Sequence, residues 1–451
     1  MSSPKRPNIL FIIADDHRHD AIGRFGDPTV QTPRLDRLAG GGVAFRNAHI
    51  MGGLTGAVCV PTRACMLTGV STFRAVSSQD QTDYRGLQTL NPALALMPEQ
   101  FRQAGYHTYA VGKWHNDKAS FARCFAGGAK LFFGGMSDHE RVPVHDFDPT
   151  GRYPAEAAYS GQHFSSRLFS DAAIQFLDGY DQDDPFFLYL AYTAPHDPRT
   201  APAAYAAGYD PAQIPIPPNF LPEHPFDNGE LRVRDEALAP WPRTPAVIQQ
   251  HLADYYAMIS HLDAQLGRVL DTLQQRGLAE NTIIVYTADH GLAVGQHGLL
   301  GKQNLYDHSV RVPLILSGPG LPADREIAEP VYSFDLFPSL CELTGLPIPD
   351  TVESRSLLPL LTGRAESHYD SLFALYRDGQ RMVKADGWKL IRYYRSAGGG
   401  QDHRQLFNLA ADPWETTNLA HDPVQQNRVE ALEAALAQWQ QRVDDPLRDH
   451  Q

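Results

Sequence analysis

Two pairs of residues in this chain could hold a divalent cation. Asp15-Asp16 follows the apolar run 9–13, and Asp289-His290 follows the apolar run 282–287. Carboxylate oxygens are hard ligands suited to Ca²⁺ or Mg²⁺, and one His suits Mn²⁺ or another borderline ion. Taken alone, Asp15-Asp16 reads as a turn with a helix N-cap. The second acidic pair at a second strand end favours the metal. Other reactive side chains stand at similar junctions: Lys113 and His115 after the run 107–111, and His196 after the run 186–192. A further candidate is Cys59, in the segment 57–69. Pro61 near its start and Gly69 at its end frame a short helix with Cys59 at its N-terminus. Free N–H groups and the helix dipole favour anions there. The same residue also reads as an inert buried Cys or as a reactive thiolate.

The elements that must position these groups are legible in outline. Short, continuously apolar runs at 9–13, 107–111, 186–192, 282–287 and 314–316 suit strands buried on both faces of a parallel sheet. Helical patterns alternate with them. Thr32-Pro33, followed by Leu35 and Leu38, marks a capped helix start. The segment 247–273 repeats Leu252, Tyr256, Ile259, Leu262, Leu266, Val269 and Leu273 at helical spacing, with Gly277 at its C-terminal cap. Another helix is expected over 335–344. The pattern implies an α/β fold, with a large mixed, mostly parallel sheet sandwiched by helices. Ligands bind beyond the carboxyl ends of such strands, so residues hundreds of positions apart can converge. The segments 127–159 and 197–245 read as long loops, either pocket walls or surface insertions.

From about residue 366 the texture changes. Runs at 371–376, 380–385, 388–394 and 405–409, broken by DG, DG and GGG, read as hairpin strands. A terminal helix over 424–443 follows. The expected organisation is a catalytic α/β domain, 1–365, and a smaller antiparallel α+β domain, 366–451, that completes the substrate pocket.

Composition narrows the partners. The chain has 451 residues, 43% hydrophobic and 20% charged, with a formal net charge of -13. An acidic chain lacks the basic face that nucleic-acid backbones need. Its four cysteines, Cys59, Cys65, Cys124 and Cys341, show no zinc-binding spacing. No apolar stretch is long enough to span a membrane. The run 9–13 is too short for a signal-peptide core. The sequence as given reads as cytoplasmic, provided no export signal precedes it, and a homo-oligomer is compatible with it.

Cys59-Val60-Pro61-Thr62-Arg63, followed by Leu67-Thr68-Gly69, resembles the C-x-P-x-R signature of the type I, formylglycine-dependent sulfatases of the alkaline phosphatase superfamily. Other landmarks of that family match in order: Asn8-Ile9-Leu10 running into Asp15-Asp16, Gly112-Lys113-Trp114-His115, Pro195-His196, Thr287-Ala288-Asp289-His290-Gly291, and Gly298-Leu299-Leu300-Gly301-Lys302. Leu406-Phe407-Asn408-Leu409 and Asp412-Pro413-Trp414-Glu415 resemble its C-terminal part, so the resemblance covers nearly the whole chain. Val60 stands where the family more often has a small or hydroxylated residue. His290 stands where many members have Asn.

The resemblance implies hydrolysis of a sulfate ester through a formylglycine gem-diol made from Cys59 by a separate formylglycine-generating enzyme. It implies one divalent metal, Ca²⁺ by default with Mg²⁺ or Mn²⁺ possible, held by Asp15, Asp16, Asp289, His290 and residue 59. Lys113 and Lys302 would clamp the sulfate, His196 protonate the leaving alcohol, His115 take a proton from the diol, and Arg63 hold residue 59. Taken singly, these lysines and histidines read as solvated or backbone-bonded side chains. His297 reads at least as well as structural, Cys65 and Asp263 read as structural, and the sequence does not choose for His17, His19 and His308. The substrate stays open among sugar sulfates, choline sulfate and aryl sulfates. Two alternatives stand beside this reading: a phosphonate monoester or phosphodiester hydrolase of the same superfamily, and an unmodified, non-catalytic binding relative.

Overall fold

The structure, a computed structural model, describes residues 5–77, 89–396 and 399–449. Part of the GGG break at 398–400 therefore lies outside the described residues. At the centre of the main sheet runs the strand Asn8–Ala14, fully buried. It pairs in parallel with Phe186–Ala191 on one side and Thr282–Ala288 on the other. His107–Lys113 and Gly127–Phe132 extend the sheet in parallel beyond Phe186–Ala191. Beyond Thr282–Ala288 lie Arg311–Ser317, Val43–His49 and Arg325–Ile327. Alternate side chains serve two cores, as the pleat requires. Ile9, Phe11 and Ile13 face one, and Leu10, Ile12 and Ala14 face the other.

Three expectations for this sheet need correction. The run 314–316 belongs to a strand, Arg311–Ser317, that is antiparallel to both its neighbours. Continuous burial hides strand direction, because both kinds of central strand are apolar on two faces. The first part of the supposed loop 127–159 is the strand Gly127–Phe132, whose Gly-Gly start lacks the β-branched residues that mark strands. Val43–His49 was also not anticipated, since Arg46 and Asn47 interrupt its apolar pattern.

Helices cover both faces. The longest, Pro245–Gln275, buries Leu252, Ile259, Leu262, Leu266, Val269 and Leu273, and Gly277 follows it with a φ of 67°. The expected helix over 335–344 is a 3-10 turn, Ser333–Asp335, running into Leu336–Leu343. Pro33–Gly40 starts where Thr32-Pro33 predicts, but Thr32 does not cap it. Asp263 of the long helix does so instead, accepting from the backbone N–H of Arg34 (3.1 Å) and of Leu35 (2.8 Å).

That cap makes a stability prediction. Burial pushes the Asp263 carboxyl up to about 6 from an ordinary 3.8, against the pull of the two N–H groups. An acid whose folded value is raised contributes stability that is fully present below the unfolded value. The contribution fades as pH rises through the folded value. Wild-type protein should therefore lose up to about 3 kcal/mol relative to Asp263→Asn between pH 4 and pH 7. Denaturant unfolding of both proteins across that range measures it. A stability difference that does not vary with pH would contradict the assignment.

The second sheet is antiparallel over His403–Asn408, Trp388–Tyr393, Gln380–Ala385 and Ser371–Tyr376, and the terminal helix Gln426–Arg442 packs on it. Its last strand comes from far upstream. Gly52–Gly53 pairs in parallel with Leu375 and Tyr376. Gly52 has a φ of 88°, and a Cβ there would stand 1.9 Å from the Leu375 carbonyl oxygen. Only glycine allows that approach. Residues 52–53 thus tie the segment just before Cys59 to the smaller sheet. The helix Cys59–Thr68 is buried at every position and ends on Gly69 in the left-handed region.

Candidate functional site

The register of the central strands builds the site. Ala14 lies beside Ala288, so Asp15-Asp16 and Asp289-His290 leave the sheet together. The Asp289 N–H donates to the Ala14 carbonyl (3.2 Å), and the Asp16 N–H donates to Asp289 Oδ1 (3.2 Å). Lys113 ends the next strand but one, and His196 follows the strand between. Asp16 and His115 have φ values of 66° and 57°, uncommon for non-glycine residues and characteristic of strained functional positions.

The helix Cys59–Thr68 directs its N-terminus at the same point. Cys59 Sγ lies 3.1 Å from His115 Nδ1 and 4.0 Å from Lys113 Nζ. Lys113 also donates to Asp15 and to the Gly135 carbonyl (2.6 Å). Lys302 donates to Asp16 Oδ1 at 2.8 Å. Arg63, whose side chain is wholly buried, donates to Asp289 Oδ2 (3.0 Å), to the Lys113 carbonyl (2.8 Å) and to Tyr189 (3.4 Å). Its bonds therefore hold an acidic ligand candidate and the Lys113 main chain. Its Nη2 has no hydrogen-bond partner. All the residues singled out from the sequence as catalytic or metal-binding are thus close neighbours: Asp15, Asp16, Cys59, Arg63, Lys113, His115, His196, Asp289, His290 and Lys302.

The fields in the site are strong because water is excluded. Burial raises the Cys59 thiol, but Lys113 and Lys302 outweigh it and bring it down to about 6. Burial and the nearby Lys113 ammonium hold His115 well below its usual value, so its ring is neutral and able to accept a proton. Burial and Lys302 oppose charge on His290, yet Asp16 and Asp289 outweigh them and lift it to about 10. Burial opposes ionisation of Asp16, while His196, Lys302 and His290 pull it far below the usual carboxylate range.

The residues fit a divalent ion. One ligand atom each from Asp15, Cys59, Asp289 and His290 lie within 4.8 Å of one another, and so do atoms of Asp15, Asp16 and His196. Asp15 Oδ1 and His290 Nε2 are buried without a hydrogen-bond partner of good geometry, although Asp16 Oδ1 is 3.0 Å from the latter. Orphaned buried donors and acceptors are costly unless something pairs with them. Three carboxylates and an imidazole are the donor set of Ca²⁺, Mg²⁺ or Mn²⁺.

Above residue 59 opens a pocket of about 600 Å³, walled by His115, His196, Lys302, Gln303, Glu230 and Arg377 among others. Arg377 comes from the turn between Ser371–Tyr376 and Gln380–Ala385, so the smaller sheet contributes to the wall. The loop over 197–245 supplies Glu230, Arg234 and Asp235. Sequence reasoning left that loop open between a pocket wall and a surface insertion and named no residue in it, since nothing in its Pro- and Ala-rich pattern separates a lining side chain from a surface one. His297 stacks on Tyr306 with ring centroids 3.8 Å apart and lines a different cavity. His17 bonds to Tyr286 and the Ala21 carbonyl, which makes it structural. Cys65 is buried, and burial pushes its thiol up to about 12.

A buried set of carboxylates, two lysines and a cysteine at the carboxyl rim of a mostly parallel sheet is suited to an α/β-class enzyme that acts on an anionic ester. The chain belongs to the sulfatase family: the family model described as "Sulfatase" matches residues 7–346, and that of the "N-sulphoglucosamine sulphohydrolase, C-terminal" region matches 295–442. It is a sulfuric ester hydrolase with the fold of the alkaline phosphatase superfamily. An N-acetylglucosamine-6-O-sulfatase of Bacteroides thetaiotaomicron is 26% identical, with 98% of this chain and 87% of that protein covered. Among solved structures, a protein in complex with its substrate D-glucosamine-2-N,6-O-disulfate superposes with a TM-score of 0.81. It is 24% identical and 99% of each chain is covered, so it shares the fold. A phosphonate monoester hydrolase from Silicibacter pomeroyi gives a TM-score of 0.74 at 25% identity, covering 98% of this chain and 97% of that one.

Proposed function

We propose that this sulfatase acts on a sulfated saccharide, through residue 59 oxidised to formylglycine and one divalent ion, Ca²⁺ by default. The observation that carries this reading is the meeting of four ligand candidates with Cys59 between two buried lysines. Asp15, Asp16, Asp289 and His290 would hold the ion, which supplies positive charge to acidify the nucleophile and to offset the charge of the sulfate oxygens. Formylglycine supplies, as its hydrate, a hydroxyl able to attack sulfur.

This chain's own groups do the rest. Lys113 and Lys302 flank residue 59 and donate to sulfate oxygens, where charge concentrates during transfer. His196 gives a proton to the leaving oxygen. His115, neutral and already 3.1 Å from the residue-59 side chain, accepts a proton from it, so that sulfate departs and the aldehyde returns. Arg63 fixes Asp289 and the Lys113 main chain. The saccharide assignment draws support from hydrogen-bonding side chains in the pocket wall, among them Glu230, Arg232, Gln303 and Arg377, and from the activity named for the Bacteroides relative. Division of the chain at 365/366 into a catalytic and a pocket-completing domain is part of the same proposal, as is a cytoplasmic location for the sequence as given.

The test combines two measurements on protein co-expressed with a formylglycine-generating enzyme. Mass spectrometry of the peptide holding residue 59 should show the thiol replaced by an aldehyde. Sulfate release over a panel of sulfated sugars, choline sulfate and aryl sulfates should be fastest with a sugar. Faster turnover of phosphonate monoesters than of any sulfate ester would overturn the reading in favour of the phosphonate hydrolase alternative. An intact thiol in active protein would remove formylglycine from it.

A further inference from the structure

Arg234 lies in the loop over the pocket, and its guanidinium is turned toward protein groups. It holds Asp197 with a bidentate fork, Nη1 to Oδ2 at 2.5 Å and Nη2 to Oδ1 at 2.9 Å. Nη2 also donates to Asp235 Oδ1 (2.6 Å), and Nη1 touches the Met136 sulfur. Asp235 is itself held by Gln303 Nε2 at 2.8 Å. Both terminal nitrogens are thus engaged by carboxylates, while the rest of the half-buried side chain lines the pocket.

Asp197 is the residue after His196, and it is 5% exposed. Its main-chain carbonyl accepts from His196 Nδ1 at 2.7 Å, and its Oδ1 lies 3.4 Å from the same nitrogen. The other face of the loop is pinned as well, because His139 Nε2 donates to the His196 carbonyl at 2.8 Å. With Nδ1 engaged as a donor, Nε2, which has Asp16 Oδ2 at 3.9 Å, is the nitrogen left to face substrate in the pocket. Arg234 is the one Lys or Arg paired with Asp197 among the described residues. Without it, a buried carboxylate would sit uncompensated beside the imidazole, free to shift toward water and take residue 197 with it.

We infer that Arg234 is a positioning residue: through its fork on Asp197 it fixes the His196 ring for proton donation to the leaving oxygen. This inference rests on the reading of His196 as general acid. An arginine that merely braces the loop would slow all substrates alike. One that aims the acid matters most where the leaving group is a poor one, because such a group depends on protonation.

The experiment measures kcat/KM for a series of aryl sulfates, from 4-nitrophenyl sulfate to unsubstituted phenyl sulfate. It uses the modified enzyme and its Arg234→Lys, Arg234→Met, Asp197→Asn and His196→Gln variants. Thermal melts report folding. Lysine keeps the charge but not the fork, so Arg234→Lys stays informative if Arg234→Met fails to fold. General acids contribute about 10²–10⁴ in rate. His196→Gln should therefore steepen the leaving-group dependence. The Arg234 and Asp197 variants should steepen it in the same sense, with phenyl sulfate losing at least about tenfold more than 4-nitrophenyl sulfate. Equal losses across the series in Arg234→Lys and Asp197→Asn, with the dependence still steepened in His196→Gln, would overturn the inference alone. A flat response in His196→Gln would instead remove the general-acid reading, and the inference with it.

Discussion

Replacing Cys59 by alanine is expected to abolish sulfate release, a loss of at least about 10⁴-fold in kcat, with the fold retained. Among the described pocket-lining residues, Cys59 is the one side chain carrying a hydroxyl or thiol. The carboxylates in the wall are engaged elsewhere, Glu230 by Arg377 and Asp235 by Arg234 and Gln303, so no second hydroxyl or thiol is at hand to take over the attack. The lysines and histidines around it are arranged to serve that position: Lys113 and His115 both approach its sulfur. Losing the side chain leaves an intact anion site with nothing to attack sulfur. The structural cost is small, because one buried sulfur at a helix start is worth about 1 kcal/mol. Cys65→Ala is the matched control. It removes a buried thiol from the same helix, bonded to Thr72 and outside the pocket, and should keep turnover within about threefold of wild type. Turnover of sulfate esters with both variants, alongside their melting temperatures, checks the prediction. Near-normal activity in Cys59→Ala would remove residue 59 from the chemistry.

The second large effect concerns the ion. Chelation, or Asp289→Asn, is expected to lower kcat by about 10³ or more, since a Lewis-acid metal contributes several kcal/mol to such a step. Asp289 is the sharpest choice because both its oxygens are already oriented, Oδ2 by Arg63 and Oδ1 by the Asp16 N–H. Asparagine keeps the size, loses the charge that draws a cation, and keeps an acceptor for only one of those two donors. Stability offers an independent readout. A ligand at about one hundred times its dissociation constant stabilises by about 2.7 kcal/mol. Ca²⁺ should therefore raise the melting temperature of chelated wild-type protein and leave Asp289→Asn nearly unmoved. An equal rise in both proteins would place the ion elsewhere.

How much of this was legible in sequence follows from where the information resides. The strands at 9–13, 107–111, 186–192 and 282–287 announce themselves because burial on both faces writes a continuous apolar run. Their chemistry-bearing ends follow directly in the chain, so Asp15, Lys113, His196 and Asp289 could be placed at one rim without a structure. Strands away from the centre of the sheet carry no such mark. Gly127–Phe132 and Val43–His49 owe their conformation to partners supplied by tertiary pairing, and the antiparallel course of Arg311–Ser317 is invisible to a pattern of burial. The cap on Pro33–Gly40 was misassigned to Thr32 for a related reason. Asp263, which supplies it, is more than two hundred residues away. Arg63 shows the same limit at the site itself. Its presence was signalled by Cys59-Val60-Pro61-Thr62-Arg63, while its hydrogen bonds to Asp289, the Lys113 carbonyl and Tyr189 depend on three strands and a helix meeting. Arg234 and Asp235 lie in a loop without periodicity, where only coordinates distinguish a clamp from a surface charge.

The account turns on one cation held beside residue 59. Crystals of the modified protein grown with Mn²⁺ and measured at its absorption edge test that directly, because anomalous scattering locates the ion without reference to any mechanism. A single strong peak contacting Asp15, Asp16, Asp289 and His290, next to residue 59, is the predicted result. A peak at other residues, or none there at saturating Mn²⁺, would contradict it.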